Sequence, residues 1–227
     1  MSCTEEKKGI GRCSIKEKKM SRYHEPLCRL CRVEKDKLFL KGEKCLGDKC
    51  PMERKAYPPG EHGRRRRRIL GYGIQLREKQ KLKRYYEMSE RQFRLFFKRA
   101  ERKKGITGDN LLSMLERRLD NVVFLSGYSH SRGHARQLIN HAHFRLNGKK
   151  ASIASMLVKK GDVLSFKEKS KKNEELKAIV ESNEKKSVPG WLQVDREKME
   201  VKIISLPGRE DISIPIEEHL VVELYSK

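Results

Sequence analysis

The residues best placed to do chemistry are four cysteines in two close pairs, Cys28 with Cys31 and Cys45 with Cys50, with thirteen residues between the pairs. Each pair is short enough to set two sulfurs on one ion, and four soft thiolates suit a tetrahedral, structural Zn2+. An iron–sulfur cluster takes the same four thiolates. Metal-free thiols are the third reading, and a reducing cytosol argues against disulfides. The stretch between the pairs, carrying Leu38, Phe39, Leu40 and Gly42, is expected to form a small hairpin. Residues 20–55 therefore read as a zinc knob. Ahead of it, residues 1–19 are polar and basic without periodicity, as in a flexible arm. Cys3 and Cys13 in that arm read as spare, and Met20 as an alternative start.

The second candidate set is cationic. The stiff Pro58-Pro59-Gly60 turn leads into Arg64, Arg65, Arg66, Arg67 and Arg68, five guanidiniums that cannot all be buried or locally paired. His62 stands among them without the companions of a catalytic triad. Residues 74–86 read as a basic helix, with Arg77, Lys79, Lys81, Lys83 and Arg84 round most of its circumference. Tyr85 and Tyr86 are available there to stack on bases or to close a core. Further on, Arg132, Arg136 and Asn140 recur every four residues, so they line one helix face opposite the apolar one. Two guanidiniums on a rigid helix can each fork onto a phosphate. Lys149 and Lys150 follow the hairpin signal Asn147-Gly148.

The elements that must position these groups follow from pattern. Asp109 or Asn110 offers a cap to a helix whose stripe is Leu111, Leu115, Leu119, Val122 and Val123, with Arg117 and Arg118 off the stripe. Gly127 ends that helix, and Ser129 or Ser131 opens a second one with Ala135, Leu138, Ile139 and Ala142 inward. Phe144-Arg145-Leu146 alternates like a strand, and residues 163–166 form another, so 109–172 reads as a two-helix-plus-hairpin module. Upstream, Ser89 and Gln92 form a capping box. Its helix buries Phe93, Phe96, Phe97 and Ala100 and shows Arg91, Arg94, Lys98 and Arg102 elsewhere. Downstream come a short helix over 173–182, a hairpin pairing 191–194 with 201–204, and an extended end. The expected fold class is α+β. A basic helical domain, 56–108, would be completed by 173–227.

Composition narrows the partners. Of 227 residues, 36% are hydrophobic and 37% charged, with a net charge of +23. That balance favours a polyanion, nucleic acid ahead of a membrane surface, because no amphipathic anchor is evident. Apolar runs such as residues 153–158 are too short to span a bilayer. The first twenty residues lack the apolar centre of a secretory signal, so a cytosolic setting is expected. Residues 51–110 hold 19 Lys and Arg against 7 Asp and Glu, whereas residues 181–227 hold 7 against 10. One side would grip a polyanion and the acidic end would meet protein. No Gly-rich phosphate loop or Ser/His/Asp set is present, and four cysteine ligands leave a metal no open position. Neither an enzyme nor a small-molecule substrate is expected.

The run "LLSMLERRLDNVVFLSGYSHSRGHARQLINHAHFRLNGKKASIASMLVKKGDVLSF" resembles the alpha-L RNA-binding module, in the form carried by the family of the fourth protein of the small ribosomal subunit. "YPPGEHG", "YGIQLREKQKLKRYY", "YEMSERQFRLFFKRAERKKGITGDN" and the closing "IPIEEHLVVELYSK" are similar to the same family, so the resemblance covers nearly everything after Met20. Ala142 stands where that family usually has glycine, and Ala154 where it has proline. The resemblance implies a structural constituent of the cytoplasmic ribosome, binding the 5′ domain of small-subunit rRNA at a multi-helix junction early in assembly. It implies contact with the fifth small-subunit protein, with influence on decoding accuracy, and a place beside mRNA at the entry path. It also implies that the C-terminal segment packs back on the helices, leaving the module as an insertion. The RNA-facing set so expected is Tyr57, His62, the five arginines 64–68, Arg77, Lys81, Arg84, Arg117, Arg118, Ser131, Arg132, Arg136, Asn147, Lys149 and Lys150. The family includes members with and without the four cysteines, which implies a structural role for them. Two rival readings are an RNA-modifying enzyme or a stress-linked RNA-binding protein with an appended module. The first lacks a catalytic domain here, and the second leaves the flanking resemblance without a cause.

Overall fold

The computed structural model describes residues 23, 25–65, 70–183, 186–212 and 214–226. The arm with Cys3 and Cys13, Met20, and Arg66, Arg67 and Arg68 lie outside the described residues. The chain folds as α1 (Cys28–Glu34), a 3-10 turn (Gly42–Cys45), α2 (Pro51–Arg54), α3 (Gly71–Tyr85), α4 (Glu90–Glu101), α5 (Thr107–Glu116), α6 (Leu119–Leu125) and α7 (Arg132–Asn140). Then come β1 (Phe144–Leu146), β2 (Lys149–Ala151), β3 (Val163–Phe166), α8 (Glu168–Lys171), α9 (Glu174–Ser182), β4 (Leu192–Asp195), β5 (Glu200–Ile203) and α10 (Glu218–Tyr225).

Two apolar cores and a satellite organise it. The first core gathers Leu82, Tyr86, Phe93, Phe96, Phe97, Leu111 and Leu115 with Ile212, Ile214, Ile216 and Val221. The second gathers Leu119, Val122, Ala135, Ile139, Phe144, Leu164 and Phe166 with Leu176, Trp191, Val201 and Ile203. A small cluster of Cys31, Leu38 and Leu40 holds the knob.

Local signals behave as expected where they are strong. Ser89 Oγ accepts from the Gln92 N–H at 3.4 Å and opens α4. Ser131 Oγ accepts from the His134 N–H at 3.2 Å and opens α7. Asn147 and Gly148, with φ of 50° and 76°, make the tight turn between β1 and β2. Gly127 takes φ 81° after α6. Ala142, where the family resemblance marks glycine, also sits at positive φ, 58°.

Four expectations are corrected. The stripe from Leu111 to Val123 is two helices, because the chain at 154–158 pairs with the break: the Leu119 N–H donates to Met156 O at 2.9 Å and the Val158 N–H to Arg117 O at 3.0 Å. The stripe stays buried, but Leu115 faces one core and Leu119 the other. Nor do Asp109 and Asn110 cap α5, which starts at Thr107 with both inside its first turn. The stretch between the cysteine pairs forms helix and 3-10 turn in place of a hairpin. Finally, the 173–227 segment divides. The β4–β5 hairpin joins the module's sheet, whose order is β2-β1-β3-β5-β4, with Leu164 opposite Val201. Only the stretch from Ile212 onward packs on the helices, and it ends in α10 rather than extended chain, with Tyr225 stacked on Phe97 at 4.4 Å.

Candidate nucleic-acid interface and metal centre

Helix α1 sets Cys28 and Cys31 one turn apart on one face. Cys45 closes the 3-10 turn, where the Lys41 N–H reaches its Sγ at 3.4 Å, and Cys50 precedes Pro51 at the start of α2. All four thiols are free and line one cavity of about 10 Å³ with Leu40, Pro51 and Met52. Cys31, Cys45 and Cys50 are buried. Burial pushes the Cys31 and Cys45 thiols up, and the neighbouring sulfurs push the same way, an arrangement that a cation at their centre would reverse. Among the described residues no three His, Cys, Asp or Glu side chains form a group ready to hold a metal. The four cysteines thus line a common void, and no three of them are gathered around one point among the described residues.

The knob is fastened to the rest through charge and close approach. Arg77 and Arg84 both engage the buried Glu34 carboxylate, and Lys81 reaches Asp36 at 2.5 Å and Pro215 O at 2.7 Å. Gly42, at φ 62°, lies against the backbone of His130, where a Cβ would come within 2.4 Å of the carbonyl oxygen. Tyr57 sits under Arg32 and Arg64, at 5.1 and 5.0 Å from ring centroid to guanidinium, and accepts at its carbonyl from Arg32 Nε at 2.8 Å.

The expectation that α7 shows its arginines outward is corrected. Arg132 is 4% exposed; its Nε donates to Asn121 Oδ1 at 2.8 Å, and the guanidinium lies 3.9 Å from the Tyr85 ring centroid and 4.5 Å from that of Phe124. Arg136 donates to Asp120 Oδ2 at 2.8 Å and to the carbonyls of Glu87 and Tyr86 at 2.8 and 3.3 Å. Arg118, 1% exposed, forks onto the same Asp120 carboxylate at 3.0 and 2.6 Å and rests over Phe96. Glu116 completes the network, accepting from the Tyr86 hydroxyl and from Asn121 Nδ2. Desolvation raises the pKa of Glu116 and, further still, that of Tyr86. This polar seam joins α3 and the α3–α4 turn to α6 and α7, between the two cores.

Of the remaining predicted residues, several are engaged in the fold. Arg117 Nε donates to Val158 O at 2.9 Å, Ser131 is the α7 cap, and Asn147 bonds Asp162 and the Val163 N–H at 2.9 and 2.8 Å. His62, Arg64, Arg65, Lys149 and Lys150 are exposed. Pattern reading had left Arg145, Lys159, Lys160 and Lys202 off the RNA-facing set. All four are exposed on or beside the sheet. Arg145 stands directly opposite Lys150 across β1 and β2. The alternation Phe144-Arg145-Leu146 was the signal that could have found it, since it turns Arg145 outward. Like charges facing across a ladder are unfavourable to folding on their own. An anion set against the pair would relieve that cost.

A small α+β protein with a hairpin-bearing module, a basic helical core and exposed cations on both belongs, as a class, with nucleic-acid-binding proteins. Comparisons with known families narrow this. The family model for the ribosomal protein S4/S9 N-terminal domain matches residues 22–116, and that for the S4 domain matches residues 117–164. The small ribosomal subunit protein uS4 of Thermoanaerobacter sp. strain X514 is 56% identical over 208 residues, covering 92% of this chain and all of the relative. Those of Halothermothrix orenii and Geotalea uraniireducens are each 53% identical, with the same coverage. The chain belongs to the small ribosomal subunit protein uS4 family, a family of ribosomal structural proteins and not of enzymes. Among the described residues no helix is long and apolar enough to cross a membrane.

Proposed function

We propose that this chain is a structural constituent of the small ribosomal subunit that binds small-subunit rRNA, in its 5′ domain, chiefly through phosphates. The observation that carries the reading is the exposed, like-charged Arg145–Lys150 pair on the module, with Lys149, Lys159, Lys160 and Lys202 around it. Arg64 and Arg65 extend the cationic surface beyond the knob. Arg77, Lys81, Arg84, Arg118, Arg132 and Arg136 serve instead to hold knob, helices and module in one arrangement, so that the surface is presented with a defined shape. A salt series on a 5′-domain rRNA fragment and on an unrelated duplex tests this. About six phosphate contacts should weaken binding ~10³-fold between 50 and 200 mM salt, with the fragment preferred at moderate salt. A flat salt response, or equal affinity for the two RNAs, would refute it.

We propose further that Cys28, Cys31, Cys45 and Cys50, which line one void, draw together around a structural Zn2+ when it binds, because thiolates are its ligands in closed four-coordinate sites. Such an ion would tie α1, the 3-10 turn and α2 together. Elemental analysis should find one zinc per chain, lost in Cys45→Ser along with protease resistance over residues 25–55. Iron with sulfide would move the assignment to a cluster, and neither metal would end it. The segment 203–216, with Glu210 and Asp211 exposed, is the surface proposed for the fifth small-subunit protein, and the cations after Tyr57 are proposed to border mRNA at the entry path.

A further inference from the structure

Neither the cationic surface nor the cysteine site makes use of Lys186, which stands between α9 and β4. The chain is fastened there from both sides. The Lys186 N–H donates to Asn183 O at 3.0 Å, and Asn183 Nδ2 donates in turn to Gly127 O at 3.0 Å, past the end of α6. That fixing lays the lysine over α6, where its Nζ lies 3.5 Å from the Phe124 ring centroid and donates to Phe124 O at 2.9 Å. The buried Arg132 sets its guanidinium 4.5 Å from the same centroid. Two cations thus share one ring. α6 supplies the ring and the carbonyl, the end of α9 the uncharged Asn183, and α7 the opposing charge of Arg132.

Burial first, and the Arg132 charge after it, hold the Lys186 pKa down to about 8. Roughly a tenth of the amine is then neutral at pH 7, against on the order of one part in a few thousand for an ordinary lysine. Desolvation beside a second cation is one of the ways in which a lysine becomes nucleophilic at neutral pH. The residue is also partly exposed, so a small reagent can reach it.

We propose that Lys186 is an acylation site, modified by small activated acyl donors, an acyl phosphate or an acyl thioester. The neutral Nζ attacks the acyl carbonyl and a C–N bond forms. The bond from the carbonyl carbon to the phosphate oxygen or thiol sulfur breaks, and the leaving group takes its electron pair. The proton on nitrogen goes to water. The product suits the position better than the ammonium does. An amide N–H still donates to Phe124 O, while the charge that opposes Arg132 is gone.

The test treats full-length protein at pH 7 with acetyl phosphate in one arm and acetyl-coenzyme A in the other, at low conversion. Peptide mass spectrometry, with fragmentation that separates Lys186 from Lys185, reads the rate at each lysine. Lys186 should be acetylated ~10-fold faster than the exposed Lys98 and Lys160, because the larger neutral fraction outweighs the weaker nucleophilicity of a less basic amine. That lead with either donor supports the site, and the arm that labels identifies the donor. It should vanish in urea, where Phe124 and Arg132 no longer surround the amine. As pH rises, the Lys186 rate should level off above about 8, while the Lys98 rate keeps climbing toward about 10. A Lys186 rate no greater than that of Lys98 with both donors would overturn the proposal. So would a lead that survives unfolding, or a Lys186 rate that climbs with pH in step with Lys98.

Discussion

Helices α4 and α7 carry basic residues at the same helical spacing and use them in opposite ways. On α4 the row Arg91, Arg94, Lys98 and Arg102 faces solvent, because the aromatic stripe opposite is all the core requires of that helix. On α7, Arg132 and Arg136 sit beneath the α3–α4 turn, where Asp120, Asn121, Tyr85 and two carbonyls receive them. The lesson concerns what decides the role of an arginine. Spacing puts it on a face, but the neighbour that packs on that face decides whether it meets a phosphate or a carboxylate of its own chain.

The comparison breaks most sharply at Arg132. Arg132→Ala should cost about 3–5 kcal/mol of stability in chemical denaturation, as for a buried charge network that loses one partner, while the RNA salt slope stays near wild type. A stable variant with a reduced slope would instead place Arg132 on RNA.

A smaller effect comes from Lys186, which shares the Phe124 ring with Arg132. Its Nζ lies 3.5 Å from the ring centroid and donates to Phe124 O at 2.9 Å. No carboxylate partner for it is found among the described residues, and burial holds its pKa down to about 8. Above that pH the folded chain has lost a proton that the unfolded chain still holds, so stability should grow as pH rises from about 8 toward 10. Urea midpoints of wild type and Lys186→Met should diverge over that interval, with the variant flatter; parallel curves would show that the buried amine is not what titrates.

The smallest effect is expected at Lys150. Lys150→Ala relieves a like-charged pair with Arg145, so stability should move by no more than about 0.5 kcal/mol. The salt slope should fall by about 1. A stability loss on the scale of Arg132→Ala would erase the contrast between surface and seam.

Much of the local structure was legible from residue order. The Phe93–Phe96–Phe97–Ala100 stripe, the Ser89 and Ser131 caps, the Asn147-Gly148 turn and the two cysteine pairs are all short-range signals, and each names an element whose form depends on a few neighbours. Less legible was the break at Arg117 and Arg118. An uninterrupted apolar stripe satisfies one long helix as well as two short ones, and only the returning chain at 154–158 divides it. The C-terminal strands posed the same difficulty, since a hairpin pattern does not say which sheet edge it will join; β5 found β3. The closing segment carries an extended signal at Pro215, yet Glu218–Tyr225 form a helix that buries Val221 against the first core.

Sequence alone determined the basic character of this protein, its α+β class, its family resemblance and the thiol pairs that could hold a metal, because composition, local periodicity and motif spacing survive without a fold. Only the tertiary structure decided which cations are free. Glu34 lies 50 residues from Arg84, and Asp120 lies 16 from Arg136. No helical or strand period links partners so far apart; packing brings them together, and a guanidinium taken out of water must find a carboxylate, a carbonyl or an aromatic face wherever the fold supplies one.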